Sequence, residues 1–176
     1  METEKRIQYY EKIYLFEVER REKLNARLNV PMAAIVALLG FISYLLNVNF
    51  LNTSVCLKSI FFLLIALSLI SILLSCYHFK NCWSGLIDRF MPTTKEIEAY
   101  HVKLEENYKE FDGKDDLVDQ YFNQFLLESY SEYASYNSKN NDYRSTQLYK
   151  AVRSITFGLS FSFLAALCFK MSAILT

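Results

Sequence analysis

The chain has 176 residues, a formal net charge of zero, 52% hydrophobic and 22% charged residues. That balance leaves no basic field to draw nucleic acid or an anionic surface, and four Gly with two Pro leave no Gly-rich loop to cradle a phosphate. The arrangement excludes an ordinary soluble mixture: three windows, 32–50, 59–79 and 155–175, are almost free of charge, and each approaches the ~20 residues that cross a bilayer core as helix. The expected fold class is therefore all-α, an integral membrane protein with three transmembrane helices and a cytoplasmic region of long helices. Its expected segments are an amphipathic helix (1–29), a transmembrane hairpin (30–79), a cytoplasmic helical hairpin (80–154) and a third span (155–176).

From the start, Ile7, Tyr10, Tyr14, Val18, Leu24 and Leu28 recur at steps of three, four or their multiples, the mark of one apolar helix face in need of a partner. Glu17 with Arg21 and Glu19 with Lys23 form acid-before-base pairs at i,i+4, each worth ~0.2–0.5 kcal/mol when exposed. This segment is rich in both Glu and Arg, unlike a cleavable signal peptide, so the first span is expected to be retained. Pro31 removes a backbone donor where the helix meets that span, which predicts a kink or a new helix start. Ala33, Ala37 and Gly40 then share a small, smooth face suited to close helix packing.

Three Asn and one Thr within 47–53 predict a tight turn, making the first two spans a hairpin. In the second span Ser68, Ser71 and Ser75 line up at helical spacing, either bonded toward a neighbouring helix or forming a polar stripe toward water. Tyr77, Phe79 and Trp83 mark its end, as rings settling at headgroup level do. Of the four cysteines, Cys56, Cys76, Cys82 and Cys168, three lie in or beside apolar runs, where the thiol serves as a small hydrophobe rather than half of a disulfide. Cys76, His78 and Cys82 lack the second ligand pair a structural zinc site needs. Juxtamembrane Cys82 has the position of a lipidation site, against the plainer reading of an unmodified thiol.

Thr93 and Glu96, directly after Pro92, form a capping-box pattern, and Ile97, Tyr100, Leu104, Tyr108 and Phe111 continue it as a helical stripe closed by Asp112-Gly113. The acidic residues Asp112, Asp115 and Asp116 lack EF-hand spacing and read as a turn with an N-cap. From Leu117, through Tyr121, Phe125, Tyr130 and Tyr133, neither Pro nor Gly occurs until Gly158. That predicts a rod of forty residues or more, on the order of 60 Å at 1.5 Å per residue, either continuous or broken in the Asn-rich stretch 137–142. Asn137, Asn140 and Arg144 fall on one face of it, with Asn141 adjacent. Repeated around an axis they would line a pore or an oligomer interface, and the plain alternative is a solvated surface.

Seven Lys and Arg precede the first span, one (Lys58) lies between the first two, ten lie from Lys80 to Arg153, and Lys170 follows. The positive-inside rule puts the N-terminus and central region in the cytoplasm and the tight turn and C-terminus outside. Lys170 is placed to snorkel outward, or to face a water-filled interior. His78 and His101 have no nucleophile at motif spacing, no Arg is followed about five residues later by a His, and Glu105, Glu106 and Glu110 alternate with Lys103 and Lys109 as on a solvated face. Neither an enzyme nor a cofactor or metal is expected.

The amphipathic segment Glu-Arg-Arg-Glu-Lys-Leu-Asn-Ala-Arg (19–27), the transmembrane hairpin and the helical cytoplasmic region resemble the SMODS- and SLOG-associating two-transmembrane effectors of bacterial conflict systems. They are similar also to the small membrane accessory proteins encoded beside RNA-targeting CRISPR nucleases. The likeness is architectural, carries no catalytic residue, and the third span departs from a two-span plan. It implies a homo-oligomer that breaches the bacterial inner membrane during phage infection, controlled by a cytoplasmic defence protein or a nucleotide signal. Two readings follow: an oligomeric effector that forms or gates a pore, and a non-conducting membrane anchor or scaffold for a cytoplasmic partner.

Overall fold

The computed structural model describes residues 3–47 and 54–174. The described chain is all-helical: α1 (Thr3–Arg27), α2 (Asn29–Leu46), α3 (Val55–Ser84), α4 (Thr94–Asn107) and α5 (Lys114–Ile174). Three stretches of helix, Thr3–Leu46, Val55–Ser84 and Lys114–Met171, are long and apolar enough to cross a membrane. Of the expected tight turn, Asn47 caps α2, its amide nitrogen donating to the Ser43 carbonyl at 3.1 Å. Residues 48–53 lie outside the described residues.

The helix boundaries follow local chemistry. A single turn residue, Leu28, separates α1 from α2, and Leu28 N–H tightens onto the Asn25 carbonyl at 3.1 Å. Pro31 sits in the first turn of α2, where a missing backbone donor costs least. Ser54 caps α3, its hydroxyl accepting from Leu57 N–H at 3.4 Å. Gly85 ends α3 at φ 55°, a left-handed conformation that suits glycine.

Two compact units make up the chain, each from segments remote in sequence: Met1–Lys23 with Leu86–Asp142, and Leu24–Gly85 with Tyr143–Thr176. In the first, the α1 stripe turns inward as its spacing predicts, with Tyr14 buried against Tyr130 at 5.8 Å between ring centroids. The start of α5 packs on α4 through Tyr100 with Phe125 (4.5 Å), His101 with Phe122 (5.0 Å) and the stacked pair Tyr108 and Tyr121 (5.3 Å). Here α4 ends at Asn107, short of the expected Phe111, because the chain turns through 108–113 to Gly113 at φ 75°.

In the second unit the core is built from three seams. Ile35, Leu38, Ile42 and Leu45 on α2 meet Phe61, Ile65 and Ile72 on α3, with Ile155 and Ala165 on α5. The α2 seam advances by steps of three, four and three, and buried Ser68 and Ser75 complete the same alternation on α3, the periodicity of helices packing at a shallow angle. Buried positions on α5 keep that beat through Ala151, Ile155, Gly158, Ser162 and Ala165. Of the two alternatives at 137–142 the rod is the continuous one: α5 is one helix of 61 residues. Asparagine disfavours helix interiors when its amide bonds to nearby backbone, and the Asn137, Asn140 and Asn141 amides instead bond to remote segments.

The capping box at α4 is formed as its sequence predicts. Thr93 Oγ1 accepts from Glu96 N–H at 3.4 Å, and the Glu96 carboxylate accepts from Thr93 N–H at 2.7 Å and from its hydroxyl at 2.9 Å. Those donors hold the Glu96 carboxyl below the usual carboxylate range. A lowered carboxyl favours the folded state above the unfolded pKa, and the contribution fades as pH falls through the folded value. Hydrogen exchange at the first amides of α4 is therefore expected to be slow at neutral pH and to lose protection, relative to α5, on acidification below the glutamate range. Thr93→Ala should give the same loss at neutral pH, at a cost of about 1 kcal/mol to the helix.

Candidate functional site

The polar residues of α5 singled out by spacing are buried, at 4% exposure for Asn137, 0% for Asn140, 1% for Asn141 and 4% for Arg144. They face the chain's own segments instead of an open conduit surface. In the first unit, residues 86–93 cross between helices without helical bonds, so their backbone groups need partners from elsewhere. Asn140 supplies both for one residue: Oδ1 accepts from Leu86 N–H at 2.7 Å and Nδ2 donates to the Leu86 carbonyl at 2.8 Å. Asn137 repeats the arrangement on Arg89, with Oδ1 accepting from its N–H at 2.9 Å and Nδ2 donating to its carbonyl at 2.7 Å. A carboxamide carries one acceptor and a two-proton donor on adjacent atoms, which is why Asn matches a main-chain unit on both sides.

Charge closes the remaining valences. Asn140 Nδ2 also reaches Asp88 Oδ1 at 2.6 Å, and Asp88 Oδ2 pairs with Arg21 Nε at 2.8 Å. Asn141 Nδ2 donates to the Glu17 carbonyl at 2.8 Å and to its carboxylate at 2.9 Å. Glu17 is also bound by Arg20 at 3.4 Å, and Arg20 reaches Asp142 at 2.6 Å. The expected Glu17–Arg21 pair is thus replaced by two longer-range pairings, whereas Glu19–Lys23 forms at 2.7 Å. The physical reason is burial: Glu17 is 5% exposed, and a buried carboxylate needs several donors rather than one flexible cation. Arg89 pairs with Glu132 and lies over the Tyr136 ring, and Met91 N–H donates to the Tyr14 hydroxyl at 3.1 Å. The strap is bound through its main chain, leaving the side chains of Leu86, Ile87 and Phe90 exposed.

In the second unit Arg144 lies against the end of α3, its Nη2 donating to the Ser84 carbonyl at 3.5 Å. A cation there complements the negative end of the helix dipole. A side chain on Gly85 would collide with this guanidinium, so the glycine answers both a left-handed turn and a close approach.

The serines of α3 divide by role. Ser68 Oγ donates to the Gly158 carbonyl at 2.9 Å and lies 2.7 Å from Ser162 Oγ, and Ser75 Oγ donates to the Ala151 carbonyl at 3.1 Å. Ser71, also buried, bonds back to Leu67 of its own helix at 2.9 Å. Of the two sequence alternatives, the stripe faces a neighbouring helix. Gly158 permits the approach: a Cβ there would stand 3.0 Å from Leu38 and 3.5 Å from Ser71. By contrast Ala33, Ala37 and Gly40 are exposed, and nothing comes within 4 Å of a Cβ built at Gly40. That small-residue face packs against no other described helix of the chain. Cys76 is exposed and Cys82 buried, and His78 Nδ1 is held by Gln147 at 2.8 Å, so the three do not converge.

Sequence reasoning missed Asp88, Gln147 and Ser162, and gave Glu17 a surface partner, Arg21, in place of Asn141 and Arg20. Ser162 carries a legible signal, since Ala151, Ile155, Gly158, Ser162 and Ala165 keep the α5 beat; Asp88 sits in a strap with no periodicity to read. No protein-family model matches this chain, nor does any curated protein or solved structure. Asn140→Leu removes the partners of Leu86 N–H and carbonyl and one partner of Asp88. Unpaired groups cost ~1–3 kcal/mol each when buried, so thermal stability in detergent should fall. The Leu86 amide should then exchange at loop-like rates, while amides in the core of α3 stay protected.

Proposed function

We propose that this chain is an integral membrane protein with three spans, and that it acts without catalysis. The observation that carries the reading is an inverted distribution of polarity in the second unit. Val36, Leu63, Leu73 and Phe163 are 60% exposed or more, while Ser68, Ser75 and Ser162 between the helices are fully buried. Water would penalise such an exterior at ~25 cal/mol per Å², and soluble monomers rarely present large contiguous apolar surface. Lipid removes the penalty and favours what lies inside: small residues, close backbone approach and hydroxyl bonds between helices.

Orientation follows from basic residues, with the N-terminus and 80–154 in the cytoplasm and Lys58 outside. The first reading of activity is a membrane anchor that holds its cytoplasmic helices, braced by the asparagine-bound strap, as a docking platform for a partner protein. Commitment of Asn137, Asn140, Asn141 and Arg144 inside the fold supports it, because a conduit would need a different polar face. The second reading is an oligomer that disrupts the bacterial inner membrane in antiviral defence, in the setting the architectural resemblance implies. It is favoured by the open face of Ala33, Ala37 and Gly40 on α2, where a second copy can approach closely.

The protein should stay in the pellet after alkaline carbonate and move to the supernatant only with detergent. A membrane-impermeant maleimide should label Cys56, exposed near the start of α3, in intact cells, and should label a Lys103→Cys variant in which the four native cysteines are replaced by Ser only after lysis. Release by carbonate alone would refute insertion, and the reverse labelling order would refute the orientation. Dye-loaded vesicles carrying the protein stay tight under the anchor reading and leak under the effector reading.

A further inference from the structure

We propose that the first unit pairs with a second copy of this chain, the outer ridge of α1 of each entering a groove between α1 and α5 of the other. This deepens the oligomeric reading and rests on it. The groove consists of two adjoining depressions of about 410 and 360 Å³ that share Tyr10 and Ser131. Its floor is Ser131, Ala134, Ser135 and Ser138 on α5, small residues at steps of three, one and three. Small floors of this kind let a helix ridge approach closely, as ridges do in grooves. From Leu127 to Lys139 the groove follows α5 for about 18 Å at 1.5 Å per residue, room for three turns of an incoming helix.

The same unit carries a ridge that fits. On α1, Tyr9, Lys12 and Phe16 fall at i, i+3 and i+7 and so share a face, and all three are exposed, the two rings by more than half. Within the fold this ridge is not needed, since the core stripe of α1 points elsewhere, to Tyr14 and Glu17. Charge complements it. Glu128 and Glu132 line one half of the groove together with Arg6; Glu132 is paired with Arg89, whereas Glu128 accepts from neutral Gln124, which makes Glu128 the carboxylate for an incoming cation. Lys12 opposite these carboxylates would bring Phe16 or Tyr9 over the small-floored half. Arg6 lines the same half as Glu128, and Lys139 lines the other half, so the acidic half is the one that takes Lys12. Because each copy owns one ridge and one groove, a two-fold pairing satisfies both and closes on itself.

The test uses the full chain in liposomes, mixing unlabelled chains that carry a benzophenone amino acid at position 16 with ¹⁵N-labelled wild-type chains. Irradiation should give a covalent dimer whose mixed-isotope adduct maps to residues 127–139. Lys12→Glu should weaken dimerisation about tenfold, and adding Glu128→Lys to the same chain should recover most of it. A probe at Ala37 on α2 serves as comparison. Dimers from Ala37 but none from position 16, or adducts from position 16 outside 127–139, would overturn the α1 contact while the oligomeric reading stood. No mixed-isotope dimer from either position would sink both.

Discussion

A polar group taken out of water must find a partner, and that requirement organises α5. Along one face the helix presents Asn137, Asn140 and Asn141, then Arg144 and Gln147, then Ala151, Ile155, Gly158, Ser162 and Ala165, all buried. The amides answer the unbonded backbone of the strap and the carbonyl and carboxylate of Glu17 on α1, Arg144 answers the carbonyl end of α3, and the backbone of α5 near Gly158 and Ala151 receives hydroxyls from α3. The chemistry of the seam changes with what it meets while its periodicity does not.

Two consequences for function follow. Side chains that would make the most obvious lining of a conduit are spent on internal bonds, which shifts weight toward a protein that holds and presents helices. The faces left over are of different kinds: an apolar exterior on α2, α3 and the last third of α5, suited to lipid, and an aromatic and basic ridge on α1, suited to another protein. A binding platform needs its presented surface held still, and clamping of the strap through its main chain and through Asp88 and Arg89 does that while Leu86 and Ile87 stay outward. This is how Ile87 comes to be 85% exposed on a segment whose backbone is fixed on either side.

Much of the fold was legible because helices write their packing at steps of three and four. The stripe of Tyr14, Leu24 and Leu28, the serines of α3 and the capping box at Thr93 all took the positions their spacing predicted. The polar positions were legible and their partners were not. Spacing showed that Asn137, Asn140 and Arg144 share a face, but a face seen alone cannot tell a conduit from a clamp, because the partner lies 48 to 60 residues away in sequence. Glu17 shows the same limit: a surface-pair rule pointed to Arg21, and burial gave it Arg20 and Asn141 instead. The Ala33, Ala37 and Gly40 stripe was read as a packing face, and within one chain it stays open.

The central claim is that lipid is the solvent of the inverted bundle, and photolabelling from within the bilayer tests it most directly. With the reconstituted protein and a membrane-dissolved carbene precursor, the account predicts adducts on Leu63, Leu73 and Phe163, with Ser68 and Ser162 between the helices unlabelled. Absence of adducts on those outward residues, together with their modification by a water-soluble carbene, would contradict it.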